Sequence, residues 1–262
     1  MKVTLIVLAI LGLVVVLSQC AGKKESVFEK EHYVEGGDTL PYRILYPPDF
    51  KPSEKYPLIL FLHGSGERGN DNEAQLLNGG DYFLTQINQN EVKAVVVVPQ
   101  CPADGYWSSV NRTEIDGRPN FDFSEDREPT RALSMVMALV ENLRNEPWVD
   151  QSRLYVGGLS MGGMGTYELI YRQPDWFAAA FVICGDGKPE KAELFAGKTS
   201  VWFFHGDADD VVPVESSKAL YQGILSAGGY AKLTIYPGVG HASWVPAFND
   251  PELMKWLLSV SR

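Results

Sequence analysis

The feature that most constrains the fold is a short apolar run, a glycine-rich turn and a helical pattern that follow one another in residues 154–171. The turn has the sequence GLSMG at positions 158–162. Glycines two residues before and two residues after Ser160 predict a turn so sharp that side chains there would clash. Such a turn lifts the Ser160 hydroxyl clear of the preceding strand. The following helix would direct its positive end toward that hydroxyl.

Apolar runs alternate with helical patterns along much of the chain. Runs that predict strands lie at 56–62, 92–98, 177–183, 201–204 and 231–236, and helical patterns lie at 131–145, 216–227 and 252–260. This alternation predicts an α/β fold with a mostly parallel sheet and helices on both faces. Upstream, residues 32–34 and 40–45 flank a turn at 35–38, which predicts an N-terminal antiparallel hairpin.

A G-x-S-x-G turn between a strand and a helix is the nucleophile elbow of the α/β-hydrolase fold, in which an acid and then a histidine follow the serine. Residues 205–213 (HGDADDVVP) follow one predicted strand, and His241 follows the next. Loops at the carboxyl ends of parallel strands share one edge of the sheet. The predicted catalytic residues are therefore Ser160, Asp209 and His241, with Asp207 and Asp210 as alternatives to Asp209.

The chain has four histidines, which makes the search for a general base short. His63 and His205 each precede a glycine at a strand end, a position typical of a structural hydrogen bond to a loop. An oxyanion hole needs backbone N–H groups. One is expected from Met161, and the second from the H-G-S-G loop, with Ser65 preferred over Gly66.

The neighbourhood of this site leaves several alternatives open. Residues 105–129 lack periodicity, and so long an excursion is predicted to border the site. Trp107 and Trp244 either line the substrate site or pack in the core. Glu67 and Arg68 either clamp a polar substrate group or brace the oxyanion loop.

Composition fits one globular domain: 262 residues, 45% hydrophobic and 21% charged. A net charge of -10 without a basic patch argues against nucleic-acid binding. Residues 1–19 are expected to be a signal peptide of lipoprotein type, residues 20–31 a tether, and residues 32–262 the catalytic domain. The predicted segment ends in a sequence that resembles a bacterial lipobox.

Cys20 is the candidate lipidation site, although Gln19 departs from the small residue usual before that cysteine. Ordinary secretion and an uncleaved N-terminal anchor are the alternatives. All three place the domain outside the cytoplasm, either lipid-anchored to a bacterial membrane or periplasmic or extracellular. Membrane contact is expected only through a lipid at Cys20.

Cys101 and Cys184 each follow an apolar run. In an oxidising compartment they form either a disulfide or two separate buried thiols. Neither is expected to bind a metal, because no local cluster of cysteines or histidines surrounds them.

Residues 56–256 resemble secreted esterases of the polyhydroxybutyrate-depolymerase and dienelactone-hydrolase type, also labelled phospholipase/carboxylesterase-like or predicted peptidases. The shared motifs are FLHGSGERGNDN (61–72), VVPQCP (97–102), YVGGLSMGGMGT (155–166), FFHGDADDVVPV (203–214) and YPGVGHASW (236–244). The resemblance implies an α/β-hydrolase fold, Ser160, Asp209 and His241 as the triad, no cofactor, and hydrolysis of carboxylic esters. Related members remove acetyl or feruloyl groups from plant polysaccharides.

The expected function is therefore cleavage of a small-molecule or polysaccharide ester through an acyl-enzyme. One alternative is a serine peptidase of prolyl-oligopeptidase type, against which the lack of a propeller-sized N-terminal domain argues. The other is an inactive hydrolase fold that serves for binding, which loss of a triad residue would favour.

Overall fold

The computed structural model describes residues 26–90, 92–115 and 117–262. The predicted signal peptide and Cys20 lie outside the described residues. The hairpin begins earlier than expected, because the first strand starts at Glu29, inside the segment predicted as a tether.

An eight-stranded sheet forms the centre of the molecule, in the order β1-β2-β4-β3-β7-β8-β9-β10. Its strands are β1 (Glu29–Glu35), β2 (Asp38–Leu45), β3 (Tyr56–Leu62), β4 (Val95–Pro99), β7 (Val149–Leu159), β8 (Ala179–Ile183), β9 (Ser200–Gly206) and β10 (Ala231–Tyr236). β2 is antiparallel to both β1 and β4, and every pairing from β4 to β10 is parallel. The parallel sheet and the antiparallel N-terminal hairpin confirm the predicted architecture.

The helices cover both faces of this sheet. They are α1 (Gly80–Asn88), α2 (Arg131–Arg144), α3 (Met161–Arg172), α4 (Val214–Ser226), α5 (Trp244–Phe248) and α6 (Leu253–Ser259). Alternate residues of a strand point to opposite faces, so Leu58 and Leu60 pack with α2, α3 and α4, whereas Ile59 and Phe61 pack with α1 and α6. Because both faces are covered, β3 is apolar and buried along its whole length.

The excursion at residues 105–129 contains a two-stranded antiparallel sheet that the sequence did not predict. β5 (Asn111–Ile115) pairs with β6 (Arg118–Asp122). Every residue of β5 is exposed. With no buried face, this strand lacks the alternation of apolar and polar residues by which strands are recognised.

Among the described residues, no helix has the length and apolar character that crossing a membrane requires.

The two described cysteines are free thiols, which corrects the disulfide alternative. Cys101 is buried with the residues that pack against α2 and α3, whereas Cys184 is buried on the other face with α6. Because the sheet separates the two packing clusters, the thiols are not positioned to bond.

Candidate active site

Ser160 lies between the end of β7 and the start of α3, in a strained conformation with φ 52° and ψ -119°. Its two flanking glycines are required by close backbone contacts. A Cβ atom at Gly158 would lie 2.3 Å from the Gly162 carbonyl oxygen, and one at Gly162 would lie 1.8 Å from the Leu62 carbonyl oxygen. The absence of both Cβ atoms allows α3 to start directly against β3, with the hydroxyl at the carboxyl end of the sheet.

The three side chains predicted to act together form a continuous hydrogen-bonded chain. His241 Nε2 lies 2.9 Å from Ser160 Oγ, and His241 Nδ1 lies 2.8 Å from Asp209 Oδ2. An ionised carboxylate only accepts hydrogen bonds, so Nδ1 carries the proton and Nε2 is free to accept the serine proton. This arrangement is the one that a general base next to a nucleophilic hydroxyl requires.

Neighbouring parallel strands bring these residues together. β9 leads into the loop of Asp209, and β10 leads into the loop of His241. The two loops touch closely, since a Cβ atom at Gly206 would lie 2.0 Å from the Val239 carbonyl oxygen. Sequence-distant groups therefore meet because their strands are adjacent.

Of the three candidate aspartates, the structure brings only Asp209 to His241. Asp207 instead accepts a hydrogen bond of 2.6 Å from the Gly238 N–H, and Asp210 is exposed. Asp207 therefore holds the two loops together, which is a common use of aspartate in turns.

The Asp209 carboxylate accepts several hydrogen bonds. Burial alone would raise its pKa, but hydrogen bonds from His205, His241 and the backbone outweigh that effect and hold the pKa of Asp209 below its usual value. The backbone donors are the N–H groups of Val211 and Val212, at 2.9 and 3.0 Å from Oδ1. The carboxylate is thus kept ionised and fixed in orientation.

His205 is a buried partner of Asp209 whose contact with the acid the sequence did not predict. Its Nε2 lies 2.9 Å from the Val212 carbonyl oxygen and 3.2 Å from Asp209 Oδ2. Because a carbonyl oxygen can only accept, Nε2 carries the proton. Nδ1 then accepts from the Ser217 hydroxyl at 2.7 Å. His205 therefore contacts the same carboxylate oxygen, Oδ2, that accepts from His241. The histidine of the H-G-x-x-D motif was its signal.

His63 fixes the peptide that precedes Ser65. The Cys101 N–H donates to His63 Nε2 at 2.9 Å, so the proton is on Nδ1, which donates to the Gly64 carbonyl oxygen at 2.6 Å. A peptide unit is planar, so holding this carbonyl also sets the direction of the Ser65 N–H. Among the hydrogen bonds of the described residues, none uses the N–H of Ser65 or of Met161.

Glu67 and Arg68 brace the same loop. The Glu67 carboxylate is buried and accepts from the Asn78 side chain. Arg68 donates to the Ser65 carbonyl oxygen at 2.9 Å and to the Gly105 carbonyl oxygen at 3.2 Å. Both side chains are held by the protein, which favours bracing over a substrate clamp.

Burial of His63 predicts a specific pH dependence of stability. Desolvation lowers the pKa of His63 from 6.5 to about 4. As the pH falls, His63 therefore becomes protonated in the unfolded chain before it does so in the folded protein. The free energy of unfolding has its full value above pH 6.5 and decreases as the pH falls toward 4. We expect this decrease to be ~3 kcal/mol for His63.

His63→Gln, whose amide can make both hydrogen bonds, should flatten the dependence of the unfolding free energy on pH between 4 and 6.5. Urea unfolding across that range measures it. His32→Gln is the control, because His32 is exposed on β1. An unchanged slope in His63→Gln would contradict the assignment.

The two candidate tryptophans have different surroundings. Trp107 is completely buried, and its indole N–H donates to the His63 carbonyl oxygen at 3.1 Å. It therefore packs in the core against the loop that follows β3, as the second alternative had it, and the substrate-lining alternative for Trp107 was wrong. Trp244 is partly exposed, and its ring stands perpendicular to that of His241 with centroids 5.6 Å apart. Of the two, Trp244 is the one with exposed surface beside His241.

The excursion at residues 105–129 is anchored to the elbow helix through Glu168. This buried carboxylate accepts from the Ser108 hydroxyl at 2.7 Å, from the Ser109 hydroxyl at 2.7 Å and from the Ser109 N–H at 2.8 Å. Arg172 on the next turn of α3 donates to the same carboxylate at 2.8 Å. The start of the excursion is thereby held against the helix that follows Ser160.

A family model and related proteins place this chain in the same family. A family model described as phospholipase/carboxylesterase matches residues 50–252. The putative esterase NocK from Nocardia uniformis subsp. tsuyamanensis is 29% identical over 186 residues, which cover 70% of this chain and 48% of that protein. The chain thus spans about half the length of this relative.

Solved structures show the same fold. The crystal structure of a thermostable esterase is 34% identical with a TM-score of 0.78, and the match covers 91% of this chain and 64% of that one. A ferulic acid esterase has a TM-score of 0.68 at 15% identity, covering 90% of this chain and 98% of that one. The chain therefore has the α/β-hydrolase fold and belongs to the phospholipase/carboxylesterase family.

Proposed function

We propose that the protein is a serine esterase that hydrolyses carboxylic esters through an acyl-enzyme formed on Ser160. The observation that carries this proposal is the hydrogen-bonded chain from Ser160 through His241 to Asp209 at the carboxyl edge of the sheet. His241 removes the serine proton as the hydroxyl attacks the ester carbon. The same imidazole then gives that proton to the leaving alcohol, and Asp209 stabilises the imidazolium between these steps.

The developing negative charge requires donors that are already in place. Met161 is the first residue of α3, so its N–H is not used within the helix. The Ser65 N–H is held in direction by the His63 contact to Gly64. These two N–H groups form the proposed oxyanion hole, and the start of α3 adds its positive end.

We propose that the acyl group is an acetyl or feruloyl group on a polysaccharide. The family match supports ester chemistry, and the fold shared with a ferulic acid esterase is compatible with a phenolic acyl group. Trp244 beside His241 offers an aromatic face for a ring or a sugar. Water then releases the acid from the acyl-enzyme.

A substrate panel tests this proposal. The protein from Ala21 onward would be assayed on p-nitrophenyl acetate, longer p-nitrophenyl esters, methyl ferulate, acetylated xylan and a prolyl peptide. We expect ester cleavage, with the preferred ester choosing between acetyl and feruloyl groups. Peptide cleavage without ester cleavage would replace the proposal with the peptidase alternative.

If no substrate of the panel is cleaved, labelling with a fluorophosphonate distinguishes a missing substrate from an inactive site. The reagent reacts with a serine that has a working base, so labelling at Ser160 without turnover indicates that the panel lacks the substrate. Failure to label would overturn the proposal and favour the inactive hydrolase.

A further inference from the structure

Cys184 lies against the proposed catalytic residues, although it is distant from them in sequence. It follows β8, the strand between β7, which leads to Ser160, and β9, which leads to Asp209. It is completely buried and has a positive φ of 40°. Its sulfur, a carboxylate oxygen of Asp209 and a ring nitrogen of His241 all lie within 4.8 Å of one another.

Ser243 adds an unsatisfied polar group at the same place. It lies beside the Cys184 thiol and has no exposed surface. Its hydroxyl has no oxygen or nitrogen hydrogen-bond partner among the described residues, and the neighbouring thiol is only a weak one. A buried hydroxyl without a strong partner is costly and calls for an explanation in a native structure. A ligand at this position would supply the missing contact.

We propose that this cluster is a zinc-binding site and that zinc inhibits the enzyme. Thiolate, imidazole and carboxylate are the three kinds of ligand that Zn²⁺ prefers. The Ser243 hydroxyl beside the thiol offers an oxygen as a fourth ligand. Binding releases one proton to solvent, that of the Cys184 thiol, while the single proton of the neutral imidazole moves from the nitrogen that faces Asp209 to Nε2, which faces Ser160. No oxidation or reduction is involved.

The fold explains why no motif in the sequence indicates such a site. Cys184, Asp209 and His241 come from the ends of three successive strands, so no short motif contains two of them. The expectation that neither cysteine binds a metal rested on the lack of a local cluster. The parallel sheet assembles the cluster instead.

Zinc binding and catalysis exclude each other at this position. An ion on the imidazole nitrogen removes the N–H that Asp209 accepts, and a zinc-bound imidazole is a poor base for the Ser160 hydroxyl. None of the three proposed ligands, Cys184, Asp209 and His241, is a proposed oxyanion donor. Inhibition should therefore lower kcat and leave KM nearly unchanged.

The first measurement is p-nitrophenyl acetate hydrolysis at buffered free Zn²⁺ concentrations, with each variant compared to its own zinc-free rate. Wild type should lose activity and recover it with a chelator. Cys184→Ser should need at least ~10-fold more zinc for half inhibition, as expected for weakening a metal site. Cys101→Ser is the matched control, a buried thiol on the other face of the sheet, and should be inhibited like wild type. Equal inhibition of Cys184→Ser and wild type would overturn the proposal.

A second measurement does not depend on activity. Ser160→Ala, which keeps all the proposed ligands, would be titrated with Co²⁺ in place of zinc. A near-ultraviolet thiolate-to-cobalt absorption band is expected, and it should be absent when Cys184→Ser is added to this variant. Lack of the band in Ser160→Ala itself would refute the site, whether or not the protein is an esterase.

Discussion

Replacing Ser160 with alanine is expected to lower kcat on p-nitrophenyl acetate by at least ~10³-fold, because the variant has no nucleophile for the acyl-enzyme. The fold should survive, since the hydroxyl makes its hydrogen bond to His241 and alanine occupies less space. Circular dichroism and the melting temperature Tm would check this. The residual rate would measure what the oxyanion donors and substrate binding contribute alone.

The sharper test is whether the residues act as a unit. His241→Ala should lose about as much as Ser160→Ala, and the double variant should be hardly slower than either, because catalytic residues of one mechanism are strongly non-additive. Ser226→Ala, at the exposed end of α4, controls for loss of a serine elsewhere. If the two losses multiply in the double variant, Ser160 and His241 do not serve one step.

β3 could be predicted because it is buried on both faces, and β10, a half-buried edge strand, because apolar and polar residues alternate along it. β3 and β10 have the predicted bounds, 56–62 and 231–236. The elbow was predictable for a different reason: the backbone contacts at Gly158 and Gly162 leave glycine as the one residue that fits. A strict steric requirement restricts a position to one residue type, and such a restriction can be recognised in the sequence.

Other features of the structure have no short sequence pattern by which they could be predicted. The exposed strand β5 has no buried face, so its residues carry no pattern. For Trp107 the sequence left substrate lining and core packing open, and the hydrogen bond from its indole N–H to the buried His63 carbonyl oxygen depends on the fold. Cys184 meets His241 only through the order of the strands. Contacts between distant segments depend on topology, and spacing along the chain does not show them.

Gly162→Ala is expected to destabilise the protein, although the usual effect of this change is the opposite. Glycine to alanine inside a helix normally stabilises by about 1 kcal/mol. Here the added Cβ atom would lie 1.8 Å from the Leu62 carbonyl oxygen and 2.4 Å from its carbonyl carbon. These are backbone atoms of β3, so no side-chain rotation relieves the overlap. We expect a loss of more than ~3 kcal/mol, or ~6–12 °C in Tm.

Activity should fall with stability, because the overlap pushes α3 away from β3 and moves Ser160 from the oxyanion loop that follows β3. Thermal unfolding and p-nitrophenyl acetate hydrolysis would measure the two effects. Gly240→Ala is the matched control, since its Cβ atom would meet only the Ala208 carbonyl oxygen at 3.8 Å, an ordinary contact. A Gly162→Ala protein with unchanged Tm and rate would mean that α3 does not start against β3. The position proposed for the oxyanion hole would then be wrong, because it depends on that contact.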